Sequence, residues 1–185
     1  INNMWDWSNC KNENWNFLWN CIHWYDFANN DKNPAPLTET HGTHVAWTIA
    51  AQMNNWTWIL WVNPNAKIMA LRMWDSSFTT MSIIKSIYFA KENWAKIINA
   101  SFWARWTSAF DILEYQAVKD FTDAGWLFIA AAGNNNQDND NINNRLFPAS
   151  FGITNYVASN WTLTWSTWSV FRIIIYFSRI KQGLG

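Results

Sequence analysis

The sequence predicts an α/β fold in three layers, with helices on both faces of a mostly parallel sheet. Three observations carry that expectation. From His41 to Ala132, apolar segments of helical and strand periodicity alternate along the chain. The helical segments are bounded by capping residues or a terminal glycine. Polar turns close two of the strand segments, at Asn99-Ala100-Ser101 and at Gly133-Asn134. Strand–helix–strand alternation implies right-handed crossovers and parallel strands, and a parallel sheet is covered on both faces. In such sheets the functional groups gather beyond the carboxyl ends of the strands.

Taken in order, residues 1–40 are polar without sustained periodicity and read as a loop-rich lead-in. Within it, Asn12-Glu13-Asn14-Trp15-Asn16 is an oxygen-rich turn. The stretch His41–Ala50 (HGTHVAWTIA) follows, and residues 42–52 are small and apolar enough for a buried helix. Lys67–Met73 alternates as a strand does. Thr79 or Thr80 caps a helix running to Asn93, with Ile83, Ile84, Ile87 and Ala90 on one face. Ala95–Ala100 is a short, mostly apolar strand. Ser108 caps a further helix whose stripe is Phe110, Leu113, Ala117, Val118 and Phe121, ending at Gly125 as its C′ glycine. Leu127–Ala132 reads as a buried strand.

Composition narrows the classes. At 185 residues the chain fits a single domain with a sizeable core. The 13 basic residues balance 13 acidic ones, so nothing points to nucleic acid or an anionic membrane. No apolar run approaches the roughly 18–20 residues of a transmembrane helix. Residue 1 is Ile and no signal peptide is visible, so the natural N-terminus is expected upstream. Cys10 and Cys21 can pair, and two cysteines leave the redox compartment open.

One ratio is abnormal. The chain has 17 Trp and 6 Gly, where ordinary usage of about 7% Gly predicts about 13. Several Trp stand where local chemistry asks for glycine. Trp94 ends a helical pattern at the position of a left-handed cap, Trp56 and Trp58 flank Thr57 in a turn, and Trp5 and Trp7 flank Asp6. An indole at positive φ is strained, and an indole between close backbones overpacks. The expectation is that most of these positions are glycine in the cell, through a UGA codon read as Gly there and written here as Trp. UGG codons at these positions exclude this.

The chemistry-bearing candidate is His41. A histidine at a loop-to-helix junction presents its edge to a cleft, and imidazole titrates near neutral pH, as a general base requires. His44, one turn on, makes H-x-x-H, but no acidic helper accompanies it, and a structural role is the better reading than a metal pair.

The sequence H-G-T-H-V-A-x-T-I-A-A at His41–Ala51 resembles the active-site histidine motif of subtilisin-like serine proteases. The resemblance continues through Val62–Lys67, Ile97–Phe102, Ala130–Asn134 and Phe147–Phe151. It covers roughly residues 20–160, and glycine is the family residue at Trp47, Trp61, Trp94 and Trp103. It implies a subtilisin-like three-layer αβα domain, incomplete here, over residues 1–160, followed by a tail, 161–185, that matches nothing expected. It also implies that His41 is the base of an Asp-His-Ser triad and Asn134 the side-chain donor of the oxyanion hole. Ser101, Phe102 and Trp103 would pair with an extended polypeptide substrate. Ala131, Ala132 and Gly133 would wall the pocket for the residue before the scissile bond, with room for a large apolar side chain. Met53–Ile59 resembles the family's calcium loop, with Asn55 as the side-chain ligand of a structural Ca²⁺ and no catalytic cofactor. By the same resemblance the protein is a monomer, extracellular or in the cell envelope.

The G-T-S-M-A nucleophile motif, expected roughly 150–160 residues after the histidine, is nowhere in the chain. Trp165–Ser169 comes too early and lacks the helix of small residues that should follow it. Asp6 precedes His41, but its surroundings are too polar for the end of a buried strand, so the triad Asp is expected upstream of residue 1. The readings are therefore a fragment of an active endopeptidase, inactive by itself, or a catalytically inactive subtilisin-fold domain or pseudogene product. A Trp-rich ligand-binding module stands behind both.

Overall fold

The computed structural model describes residues 7–11, 17–21, 25–35, 40–50, 63, 66–74, 79–105, 110–134, 136–141, 143–151 and 172–177, with 7–11, 17–21, 110–111 and 172–177 described by their backbone. The polar lead-in contains three short strands rather than loop alone. β1 (Trp7–Lys11) and β2 (Phe17–Cys21) pair antiparallel in a sheet of their own, and β3 (Tyr25–Asp26) joins the main sheet. Asparagine interrupts the alternation in these segments, so a strand forms there through its pairing partner rather than its own periodicity. The register sets Cys10 opposite Leu18 and Cys21 opposite Trp7. The cysteines are thus offset by about 10 Å along the ladder, beyond the roughly 7 Å Cα separation a disulfide spans.

The next elements follow the predicted order. Helix α1 (His41–Ala50) leads to β4 (Lys67–Arg72), then α2 (Thr80–Glu92), β5 (Ile97–Ala100), α3 (Phe110–Asp123) and β6 (Leu127–Ala130). Thr79 caps α2, its hydroxyl accepting from the Ser82 amide at 3.1 Å. Ile83, Ile84, Ile87 and Ala90 are buried as expected, with Phe89 among them. α3 departs from its predicted stripe: Ala117, Val118 and Phe121 are buried, but Leu113 is 49% exposed and Glu114 is buried instead. The buried set 114, 117, 118, 121 runs at helical spacing, and Leu113 lies one residue off that face. Gly125 ends the helix at φ +81, its amide donating to Thr122 O. β6 stops at Ala130 and, among the described residues, stands at the edge of the sheet, with Ile129 44% exposed.

The tail contributes β7 (Arg172–Phe177), a strand at the centre of the sheet, whose order is β3-β4-β7-β5-β6. It is parallel to both neighbours, Ile173 aligning with Ile68 and Ile97. The run Ile173-Ile174-Ile175 has the continuous apolar character of a strand flanked on both sides in a parallel sheet.

Ile68 packs with Ala46, Ala50 and Ala66 under α1, whereas Met69 packs in the larger cluster with Ile87, Phe89, Val118 and Phe121. Consecutive strand residues face opposite sides, so α1 covers one face and the α2–α3 pair the other. Alanines at the α1 contact bring that helix close to the sheet. The two helices of the other layer are joined by Tyr88, whose hydroxyl donates to the Asp120 carboxylate at 2.7 Å. Burial and that hydrogen bond push the Tyr88 hydroxyl up to about 12.

Trp94 follows the C-cap Asn93 of α2 with φ +64 and is 59% exposed. A side chain in the left-handed region costs roughly 1–2 kcal/mol, and glycine avoids it. The indole lies 5.7 Å from Lys96, which keeps a closer aromatic partner in Trp126 at 4.3 Å. Trp94→Gly is therefore expected to raise stability by about 1 kcal/mol, read as a higher urea midpoint at unchanged m-value.

Candidate active site

The carboxyl ends of the parallel strands form one rim, and α1 starts beside it. His41, the first residue of α1, has its Nε2 3.2 Å from the carbonyl oxygen of Ser101, just past β5. A carbonyl only accepts, so Nε2 carries the proton in this hydrogen bond and Nδ1 is free to accept. Two groups 60 residues apart in sequence are thereby joined. Ser101 is held in turn by Asn99, whose Nδ2 donates to its Oγ at 2.6 Å.

The segment after β5 runs on in extended form. Phe102 is buried, while Ser101 and Trp103 are half-buried. Ala104 bridges antiparallel to Phe147, through N–H···O bonds of 2.9 and 2.8 Å. The ladder between β5 and β6 extends by one bond, Ala131 N to Ala100 O at 3.0 Å, so residues 131–133 begin beside residues 100–101. Asn139 Nδ2 donates to Ala132 O at 2.7 Å and fixes the return of the loop.

Gly133 has φ +91, and a Cβ there would stand 2.1 Å from Leu146 Cδ1 and 3.9 Å from Trp103 Cδ2. Leu146 is fully buried, so glycine is required at 133 for both conformation and space. Asn134 is exposed and makes no hydrogen bond among the described residues, leaving its amide free to donate. Asn55 lies outside the described residues, as does Asp6. His44 is exposed, 6.2 Å from the Trp47 ring. Among the described residues no group of three or more His, Cys, Asp or Glu forms a metal cluster.

One pair escaped sequence reading. Asp26, at the carboxyl end of β3, is fully buried and ion-paired to Arg72 at the end of β4. The other oxygen of the Asp26 carboxylate accepts from the Ala28 amide at 2.8 Å and the Asn29 amide at 3.1 Å. The signal was present: a charge inside each of two apolar runs, Tyr25-Asp26-Phe27 and Ala70-Leu71-Arg72-Met73, demands a buried partner.

In this parallel α/β protein a helix-borne histidine meets an extended segment at the strand ends. The chain belongs to the Subtilase family (Peptidase_S8), whose description matches residues 8–168. It is similar to the thermophilic serine proteinase of Bacillus sp. (strain AK1), at 40% identity over 116 residues, 62% of this chain and 28% of that protein. Thermitase of Thermoactinomyces vulgaris is 37% identical over 112 residues, 60% of this chain and 39% of that protein. The thermostable alkaline protease of Halalkalibacterium halodurans (strain ATCC BAA-125 / DSM 18197 / FERM 7344 / JCM 9153 / C-125) is 42% identical over 96 residues, 51% of this chain and 26% of that protein. The chain thus spans well under half the length of these relatives. No solved structure gives a significant match. Family membership implies a three-layer α/β fold.

Proposed function

We propose that this chain is the base-bearing part of a serine endopeptidase that works through an Asp-His-Ser triad. The observation that carries the reading is the contact of His41 with Ser101, which sets an imidazole against the segment expected to pair with substrate. An extended polypeptide adds its backbone alongside Ser101, Phe102 and Trp103. His41 accepts the proton of the attacking serine hydroxyl as its oxygen bonds to the scissile carbonyl carbon. It then returns that proton to the leaving amine as the C–N bond breaks. To do so the imidazole leaves the Ser101 carbonyl and changes tautomer, giving up the Nε2 proton to solvent and taking one at Nδ1, where it is donated to the triad Asp. Nε2 then accepts from the hydroxyl, and the released carbonyl can accept a substrate N–H. The exposed amide of Asn134 donates to the oxygen that becomes negative. Ala131, Ala132 and Gly133 wall the adjoining pocket, and Leu146 packed on Gly133 keeps it apolar.

Neither the serine nor the triad Asp is assigned within residues 1–185, and both are supplied by other parts of a longer product. An indole at 103 crowds the substrate segment, so glycine at the recoded Trp positions belongs to the same proposal. The whole protein is taken to be extracellular or in the cell envelope, and a monomer. Among the described residues no helix is long and apolar enough to cross a membrane. An Asn side chain with backbone carbonyls suits a hard cation, so Asn55 is the residue proposed to hold a structural Ca²⁺. A second reading, an inactive subtilisin-fold domain, would be favoured by a complete reading frame that ends near 185 without a nucleophile.

The 185-residue chain alone is expected to show no peptide hydrolysis, because a base without a nucleophile forms no acyl-enzyme. Turnover that a serine-directed acylating inhibitor abolishes would overturn this. The nucleotide sequence separates the two readings. D-T-G upstream and G-T-S-M-A downstream, with UGA at the Trp positions, supports the peptidase, whereas a reading frame closed near 185 supports the inactive domain. In a product carrying the nucleophile, Asn134→Ala should lower kcat by about 10²–10³ at nearly constant KM, the loss known for the oxyanion asparagine of subtilisin.

A further inference from the structure

Beside the Ala104–Phe147 bridge lies a cavity of about 600 Å³ that the peptidase reading does not use. One wall is aromatic. Phe151 meets Tyr115 edge-on at 5.5 Å and Phe147 at 5.3 Å, so three rings present a continuous apolar surface. The opposing character is cationic, from Arg105 and Arg145, and among the described residues no Asp or Glu lines the cavity. Arg105 is held by its donations to Asn143 O at 2.8 Å and Gln137 Oε1 at 3.1 Å. Arg145 has no hydrogen bond or ion pair among the described residues. A fixed guanidinium, a free guanidinium and an aromatic wall in one cavity make a site for an anion attached to a flat or apolar body. Carboxylate is the anion that matches, because the planar donor fork of Arg engages two carboxylate oxygens at once.

We propose that this cavity binds a carboxylate carried on an aromatic or apolar group, as an acidic side chain beside an aromatic residue or the carboxyl end of a polypeptide would present it. The site is separate from His41 and Asn134, and its occupancy is read without turnover, so its failure and that of the peptidase reading are distinguishable.

Isothermal titration of the 185-residue chain with 3-phenylpropionate and with its neutral amide tests the inference. The acid should bind saturably and the amide about tenfold or more weakly, since charge-assisted bonds are the stronger ones. Arg145→Gln, which removes no hydrogen bond or ion pair among the described residues, and Arg105→Gln should each weaken the acid about tenfold and leave the amide unchanged. Circular dichroism of both variants should match the parent chain. Two blocked Phe-containing dipeptides, one with only a Glu side-chain carboxylate and one with only a free α-carboxylate, then identify the source. Preference for either supports the proposal. Equal binding of acid and amide, no saturable binding of the acid, or unchanged affinity in both variants would overturn it.

Discussion

Replacing His41 by alanine in a product that carries the nucleophile should lower kcat by about 10⁶, with KM little changed. That size is the one known for the triad histidine of subtilisin and is carried over to this member of the family. On the proposed reading the effect is large because the imidazole handles the proton in both halves of the reaction. The residual rate expected on that reading is what the oxyanion donor and substrate binding supply without the base. Single-turnover kinetics on an anilide substrate make the test, and a loss under about a hundredfold would remove His41 from the proton-transfer role. A parallel fall in stability would point to a structural histidine instead, so the urea midpoint is measured alongside.

The second large effect is on the fold. Asp26→Asn should destabilise the domain by about 3–5 kcal/mol, because it removes the charge that Asp26 pairs with the buried Arg72 guanidinium. Arg72 is 6% exposed and Asp26 0%, so water replaces neither partner. Asparagine keeps one oxygen for the Ala28 and Asn29 amides, and the loss is chiefly that of the ion pair. Against a total stability of about 5–15 kcal/mol this moves the urea midpoint far down. Replacing both partners with apolar residues, Asp26→Leu with Arg72→Met, should cost less than either change alone. A single-variant loss below about 1 kcal/mol would show that the pair is solvated and outside the buried-pair regime.

The features legible in sequence are those set by local chemistry. Thr79, Gly125 and the isoleucines of α2 each announce themselves within one or two turns, through capping, a left-handed C′ position and helical spacing. Trp94 was readable for the same reason, since a position wanting glycine is defined by the helix before it. His41 and Asn134 stand out as candidates because their neighbours form dense, ordered motifs, and the contact of His41 with Ser101 agrees with the shared rim that the strand order implies. What escaped depends on distant partners. β7 lies between β4 and β5 although 172–177 is far from both in sequence, so no local window assigns its neighbours. Ile129 reads as buried, and its exposure shows only once β6 is placed outermost among the described strands. Glu114 replaces Leu113 on the inner face because the angular position of α3 is set by what it packs on. Asp26 and Arg72 were visible as lone charges in apolar runs, but their pairing across β3 and β4 required the sheet.

Labelling the longest product of the gene with a fluorophosphonate, followed by peptide mapping, tests the central claim most directly. The account expects one labelled serine within a G-T-S-M-A sequence outside residues 1–185, with labelling lost in His41→Ala. A labelled serine inside residues 1–185, or labelling undiminished by His41→Ala, would contradict it.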